Sequence, residues 1–130
     1  MRWLDVAEVV ALHETIMRGM GWSPAPLRDE GGLESAVMRP RMAATYDDAD
    51  LIRQAALLAL GISQAQAFVD GNKRTAYAAL ETFLYVNGVR LTADPLAIAR
   101  ELERVAEADD RRAAAAAFED WLRKTIEENR

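Results

Sequence analysis

The chain has 130 residues, a net charge of −5, one histidine and no cysteine. This length suits a core without disulfides or metal, so we expect a single domain over residues 1–130. The composition excludes a disulfide framework, a thiol nucleophile, a Cys-based zinc site and a multi-histidine metal site. The negative charge argues against broad binding to nucleic acid, which needs a basic field.

No stretch of the sequence approaches the roughly 18 apolar residues of a membrane-spanning helix. After Arg2 the N-terminus continues as an amphipathic pattern, not as the apolar run of a signal peptide. We therefore expect a cytoplasmic protein with no membrane and no nucleic-acid partner.

Helical periodicity covers almost the whole chain, and it predicts an all-α fold, a compact bundle of about six helices. The first helix is predicted over residues 4–20, with Gly21 as its end, followed by a loop over 22–31 that is rich in proline and glycine. A short helix over about 33–39 is expected to end before Pro40, because proline disfavours helical backbone in the residue that precedes it.

The second half of the chain predicts four more helices. Two strongly apolar ones, over 49–65 and 72–87, are expected at the centre of the bundle. Asp94-Pro95 is typical of a helix start, and this helix is predicted to reach Ala108. The last helix is predicted to start at Asp109-Asp110 and to present a charged, solvated face.

The connection between the two central helices carries the most informative pattern, Gln66-Ala-Phe-Val-Asp-Gly-Asn-Lys-Arg-Thr75. It places Lys73 and Arg74 in the first turn of a helix, where the helix dipole disfavours each cation by about 0.3–1 kcal/mol. An anion at the helix start would reverse this cost, because the backbone N–H groups, the dipole and both side chains would bind it together. A phosphate is the obvious candidate.

Four further residues of this segment have predicted roles. Gly71 is expected to adopt a positive φ or to let a ligand approach closely. Asn72 is expected to cap the helix or to contact a phosphate, and Asp70 to accept loop N–H groups or to coordinate Mg²⁺. Phe68 is expected to fill the core and fix the loop. The competing interpretation is an ordinary helix cap beside two solvated cations.

The segment resembles the Fic/Doc family, whose pattern is H-x-F-x-(D/N)-(G/A)-N-K-R-T. The likeness extends upstream to residues 27–40 and Leu12-His13, and downstream to Val89, so that it covers about residues 4–91. Within the family the chain resembles the short death-on-curing (Doc) branch. Lys73 stands where adenylylating Fic enzymes usually have glycine, and Tyr77 stands where they usually have a second arginine.

The resemblance implies the Fic/Doc fold and a Doc-type toxin of a toxin–antitoxin module, a kinase that uses ATP and Mg²⁺ to phosphorylate a protein hydroxyl of an elongation factor Tu-like target. Because no inhibitory (S/T)-x-x-x-E-(G/N) sequence is present, a small antitoxin protein is expected to inhibit it in trans. By resemblance, Asp70 would hold the metal, Lys73 and Arg74 would act in catalysis, and the nucleotide site would comprise Phe68, Gly71, Asn72, Lys73 and Arg74.

The sequence departs from the family at Gln66, which stands at the position of the histidine that serves as base for the attacking hydroxyl. A glutamine amide has no useful pKa near neutrality, although it can orient a hydroxyl. A loss of about 10²–10⁴-fold in rate is expected if nothing replaces the base. The alternative function is a catalytically degenerate nucleotide-, phosphate- or partner-binding module of the same fold. A lesser alternative is a nucleotidyl (AMP) transferase.

Other conspicuous side chains favour structural roles. His13 lies on an apolar helix face and is expected to be hydrogen-bonded and structural, with replacement of the missing base as the alternative. Asp29 and Glu30 are expected to cap the following helix, although a carboxylate pair in a loop could also line the cleft. The tryptophans are expected in the core or at an interface, with Trp22 best placed for a contact role.

Overall fold

The computed structural model describes residues 1–128, which form six helices and no strand. The helices are α1 (Val6–Gly19), α2 (Glu30–Tyr46), α3 (Leu51–Ala65), α4 (Asn72–Val86), α5 (Pro95–Glu107) and α6 (Arg111–Glu128). The predicted all-α bundle is confirmed. Among the helices of this part of the chain, none combines the length and the apolar character that crossing a membrane requires.

Helices α3 and α4 lie at the centre of the bundle, as predicted. Helix α3 contacts α2, α4, α5 and α6, and α4 also contacts α1 and α5. Both helices bury apolar side chains almost completely, among them Leu58, Ile62, Leu80, Phe83 and Leu84. The connection from α3 to α4, residues 66–71 (the motif loop), is therefore anchored at both ends in the best-packed part of the molecule.

Aspartates begin most of the helices. Asp5, Asp29, Asp50 and Asp94 are the N-caps of α1, α2, α3 and α5, and each accepts a hydrogen bond from a backbone N–H of the first turn. Asp110 does the same for α6, with the N–H of Ala113 as donor at 3.1 Å. A cap of this kind contributes about 1 kcal/mol. The predicted capping role of Asp29 is confirmed.

The prediction for the second helix is wrong. Helix α2 runs from Glu30 to Tyr46, so the predicted loop over 22–31 ends at Asp29, and Pro40 lies inside the helix and is buried. Proline interrupts the hydrogen bonding of a helix at a cost of about 3 kcal/mol. Leu33, Val37 and Ala43 flank Pro40 and are also buried, and burial of one large apolar side chain contributes about 1.5–3 kcal/mol. Packing against α3 therefore outweighs the local preference of proline.

The bounds that were predicted for the remaining helices agree with the structure to within two residues. The charged face predicted for α6 can be compared with the structure as far as Glu128, where the described residues end. Its apolar side chains Phe118, Leu122 and Ile126 are buried, while Asp120 and Lys124 are exposed.

Asp50 joins α6 to the start of α3. Its carboxylate caps α3 and also accepts hydrogen bonds from the Arg123 guanidinium, with Nη1–Oδ2 at 2.7 Å and Nη2–Oδ1 at 3.1 Å. The hydrogen bond from Arg123 lowers the pKa of Asp50 below its ordinary value, although partial burial opposes the shift.

We expect Asp50→Ala to lower the free energy of unfolding by about 1–2 kcal/mol, mainly through the lost cap, since exposed ion pairs contribute little. Because the pKa of Asp50 is lower in the folded state, its contribution is complete above the unfolded pKa of about 3.9 and is lost as the pH falls through the folded value. Urea unfolding from neutral pH to below pH 4 would measure this. Arg123→Ala, which keeps the cap, should cost less, and an equal loss in both variants would contradict the assignment.

Candidate functional site

The start of α4 differs from the other helix starts within residues 1–128, because its N-cap is Gly71 and no side chain caps it. Gly71 has a φ of 81°, as predicted from the glycine. The prediction that Asn72 is the N-cap is wrong: Asn72 is the first residue of α4, because the left-handed turn at Gly71 has already brought the chain into the helix.

Asn72 instead holds the motif loop in shape. Its buried side chain accepts a hydrogen bond from the N–H of Phe68 at 3.1 Å and donates one to the carbonyl of Phe68 at 2.8 Å. Both polar ends of the amide are thereby engaged with the loop backbone. Contact of Asn72 with a phosphate stays a prediction. Because the side-chain amide is already hydrogen-bonded, Asn72 would make this contact through its backbone N–H.

The Phe68 side chain fills part of the core and fixes the motif loop, as predicted. This side chain is only 1% exposed, and its ring stacks on the imidazole of His13 with the ring centroids 3.8 Å apart. The Nε2 atom of His13 lies 2.9 Å from the carbonyl oxygen of Asp70, to which it donates a hydrogen bond. The structural interpretation of His13 is confirmed: the imidazole is buried and supports two points of the motif loop.

The polar groups predicted from the sequence line one open cavity of about 290 Å³, which we call the motif cavity. Six of the seven predicted site residues surround it together with Val69: Gln66, Asp70, Gly71, Asn72, Lys73 and Arg74. Phe68 does not line it, since its side chain fills the core. The binding and catalytic roles of these residues stay predictions.

The two cations of the motif cavity differ in their surroundings. Lys73 pairs with Glu103 on α5, with Nζ–Oε1 at 3.2 Å. Arg74 is exposed and makes no hydrogen bond or ion pair with the residues that the structure describes. Glu103 was missed by sequence reasoning, because nothing in the sequence indicates that α5 returns to the motif after 30 residues.

Asp70 contributes the carboxylate of the motif cavity. Its Oδ1 accepts a hydrogen bond from the N–H of Gly71 at 2.8 Å, so the predicted role as an acceptor in the loop is confirmed. Within residues 1–128 no group of three or more acidic, histidine or cysteine residues forms a metal site. One carboxylate fits Mg²⁺ only in the way that nucleotide-bound Mg²⁺ is usually held, with phosphates and water as the other ligands.

Gln66 adopts an unusual backbone conformation that the sequence did not predict. It ends α3 in the left-handed region, with φ 51° and ψ 40°, and its side-chain Nε2 donates to the carbonyl of Ser63 at 2.8 Å. Arg28 donates to the carbonyl of Gln66 through Nε at 3.2 Å and Nη2 at 2.6 Å. The side-chain amide of Gln66 therefore serves as a cap at the end of α3, and Arg28 is a second residue that sequence reasoning missed.

A second depression, the apolar groove, borders the motif cavity. It encloses about 390 Å³ between α1, α4 and α5 and shares Lys73 and Arg74 with the motif cavity. Tyr77 lines it and donates its hydroxyl to Glu81 at 2.8 Å. Burial raises the pKa of Tyr77 to about 12, and the hydrogen bond to Glu81 adds to this effect. Tyr77 is thus a neutral donor at physiological pH.

Comparison with known proteins identifies the family to which the chain belongs. The model of the Fic/DOC family matches residues 3–84, which is more than half of the chain. The chain belongs to the Fic/DOC family. A curated relative named Toxin Doc, from Mycolicibacterium smegmatis, is 49% identical over 70 residues, which cover 52% of this chain. The chain spans about half the length of this relative, 54%.

The three tryptophans of the chain lie outside the motif loop. Trp3 packs against the core and donates its Nε1–H to Gln54 at 3.0 Å. Trp121 also packs against the core, so the expectation is confirmed for both. Trp22 is 49% exposed and borders a cavity of about 240 Å³ behind the motif loop, beside His13 and Asp70. Its contact role stays a prediction.

We expect Gly71→Ala to destabilise the protein more than Gly88→Ala. Both glycines have a positive φ, 81° and 90°, so alanine costs about 1–2 kcal/mol at either position. A Cβ at Gly71 would also lie 2.9 Å from the sulfur of Met17, whereas one at Gly88 would meet nothing within 4 Å. The extra displacement of a buried side chain should add about 1 kcal/mol, measurable by thermal or urea unfolding. Equal losses of stability in the two variants would show that a methyl group at position 71 fits beside Met17 without displacing it.

We expect Asn72→Ala to cost about 2–4 kcal/mol, because it leaves the buried N–H and carbonyl of Phe68 without partners. Amide hydrogen exchange of Phe68, followed by NMR, should accelerate in the variant. Gln64→Ala, at an exposed position of α3, is the matched control and should change stability by less than about 0.5 kcal/mol. A Phe68 amide that stays protected in Asn72→Ala would contradict the assigned hydrogen bond.

Proposed function

We propose that this chain is the toxin of a toxin–antitoxin pair and acts as a phosphotransferase, which moves the γ-phosphoryl group of ATP to a hydroxyl of an elongation factor Tu-like protein. The similarity to a relative named Toxin Doc supports the toxin assignment. We also propose that a small antitoxin protein inhibits the chain in trans.

The observation that carries the transferase assignment is the uncapped start of α4. The five other helices of residues 1–128 begin at an aspartate, which satisfies first-turn N–H groups and complements the dipole. Helix α4 has Gly71 as its N-cap without a side-chain cap, and it carries Lys73 and Arg74 in its first turn. A phosphate would bind the free N–H groups and both cations, and it would take the place that aspartate occupies elsewhere.

A nucleotide fits the two adjoining depressions. The phosphates would lie in the motif cavity, and the nucleoside would lie in the apolar groove against Tyr77 and Leu96, since both spaces are bordered by Lys73 and Arg74. Asp70 would hold Mg²⁺ together with phosphate oxygens, and the ion would neutralise charge on the phosphates.

The chemistry follows from these positions. The hydroxyl oxygen of the target attacks the γ-phosphorus, the bond to the bridging oxygen of ADP breaks, and the hydroxyl proton passes to water. Lys73 and Arg74 stabilise the negative charge on the transferred group and on ADP. Gln66 accepts no proton, and its amide is hydrogen-bonded to Ser63. We therefore expect slow transfer by the native chain.

Gln66 favours a second candidate function, a catalytically degenerate module that keeps a nucleotide or phosphate and acts by binding a partner. Nucleotidyl transfer, in which AMP moves to the target, is a lesser alternative. Lys73 and Tyr77 argue against it, because they replace the residues usual in adenylylating relatives.

The decisive experiment follows label transfer from ATP to purified elongation factor Tu, with the γ- and α-phosphates labelled in separate reactions. We expect slow γ-label transfer by the native chain and an increase of about 10²–10⁴-fold in Gln66→His. Histidine is also compatible with the left-handed backbone at this position, since it is enriched among residues with positive φ. Transfer should disappear in Lys73→Ala/Arg74→Ala and persist in Arg18→Ala, at an exposed position of α1.

Each other outcome selects an alternative. Label from the α-phosphate would assign nucleotidyl transfer. Transfer by Gln66→His alone would make the native chain a silenced enzyme or binding module. If neither chain transfers label, thermal shift distinguishes binding from its absence, because ATP at 100 times its dissociation constant should stabilise a binding protein by about 2.7 kcal/mol.

A further inference from the structure

A third depression, the arginine groove, lies between α2, α3 and α6, and it shares no lining residue with the motif cavity. It encloses about 540 Å³. Helix α3 presents one stripe to it, from Arg53 through Leu57 and Leu60 to Gln64, at spacings of three or four residues. Helix α6 presents the opposite wall, from Arg111 to Glu119. The stripe on α3 is about 16 Å long, which corresponds to three turns of a helix.

The rim of this groove is cationic on a chain whose net charge is −5. Four arginines line it: Arg39, Arg53, Arg111 and Arg112. Glu119 is the one carboxylate of the lining, and it is paired with Arg123 at 3.4 Å. Within residues 1–128, neither Arg39, Arg53 nor Arg112 forms an ion pair, and Arg111 makes only a long hydrogen bond of 3.5 Å to a carbonyl.

The floor of the groove is apolar and consists of small or buried side chains. Ala56 and Leu60 are buried, Leu57 and Ala115 are half-buried, and Ala116 lies at the edge. Alanines allow the backbone of another helix to approach closely. Arginines beside such a floor can lay their aliphatic stems along it while their guanidinium groups face outward.

We propose that the arginine groove is a docking surface for an acidic amphipathic helix of a protein partner. The apolar stripe of the helix would lie on the floor, in the manner of helix-in-groove recognition, and carboxylates on its flanks would pair with the guanidinium groups. Nucleic acid would satisfy the arginines but not the apolar floor, and the net charge of the chain repels it at longer range. Docking here is independent of the transferase activity proposed above.

The test uses a fluorescent, N-acetylated peptide of about 18 residues, long enough to form a helix in the groove, with leucines at three- and four-residue spacing and glutamates beside them. A control peptide carries glutamine in place of every glutamate. By fluorescence anisotropy, we expect the native chain to bind the glutamate peptide at least about tenfold more tightly than the glutamine peptide, with an affinity that falls as salt rises.

The matched variants are Arg53→Glu/Arg112→Glu and Arg18→Glu/Arg100→Glu, which change the net charge equally. Arg53 and Arg112 lie in the first turns of α3 and α6, where glutamate is favoured by the helix dipole, so the first variant should stay folded. We expect it to lose about tenfold or more in affinity for the glutamate peptide, and the control pair to lose less than about twofold.

Three outcomes would overturn the proposal: no binding of the glutamate peptide, equal losses in both variants, or tighter binding of an oligonucleotide that depends on Arg53 and Arg112. NMR of the native chain is a second measurement that needs no variant. The peptide should shift the signals of Leu57, Leu60 and Ala115 and leave those of Gly71 and Thr75 unchanged, and the reverse pattern would also overturn the proposal.

Discussion

The pair of hydrogen bonds between the Asn72 side chain and the backbone of Phe68 determines the shape of the candidate site. A loop with free polar groups would leave the interior, because burial of an unpaired N–H or carbonyl costs about 1–3 kcal/mol each. Asn72 satisfies both groups of Phe68 within one turn of chain. The loop can therefore keep the Phe68 ring in the core while its far side opens to solvent.

The motif loop also sets the position of the two cations that follow it. Lys73 and Arg74 follow directly after Asn72, so the same turn that buries the amide directs the next residues to the cavity. In the other helices of residues 1–128 an aspartate neutralises the first turn, whereas here the chain adds positive charge to a positive dipole. This cationic helix start lies on a protein whose net charge is −5.

Much of this arrangement could be predicted from the sequence, because it depends on local chemistry. Asp94 and the Asp109-Asp110 pair predicted helix starts, and glycine at position 71 predicted the left-handed turn. The prediction for α2 was wrong because tertiary packing determines its conformation. Pro40 stays helical because α2 is held against α3, where Gly61 leaves room: a Cβ on Gly61 would lie 3.2 Å from that of Ala36. No single-residue preference contains that information.

In the candidate site, too, some features follow from local sequence and others from tertiary contacts. The seven residues that line the motif cavity all lie between Gln66 and Arg74, within the segment that the sequence pattern singled out. Glu103, which pairs with Lys73, and Arg28, which binds the carbonyl of Gln66, come from distant segments. Gln66 ends α3 in the left-handed region, and Arg28 binds its carbonyl there. Such contacts arise from tertiary structure, and no local pattern indicates them.

The position of His13 gives the molecule an internal spectroscopic reporter. It is the sole histidine of the chain, and its ring lies between Phe68 and the carbonyl of Asp70, directly beneath the motif loop. Its imidazole resonances need no residue assignment and are shifted by the ring current of Phe68. Any ligand that lifts or tightens the loop changes that environment. One pair of signals would therefore follow occupancy of the loop without a variant and without a dye.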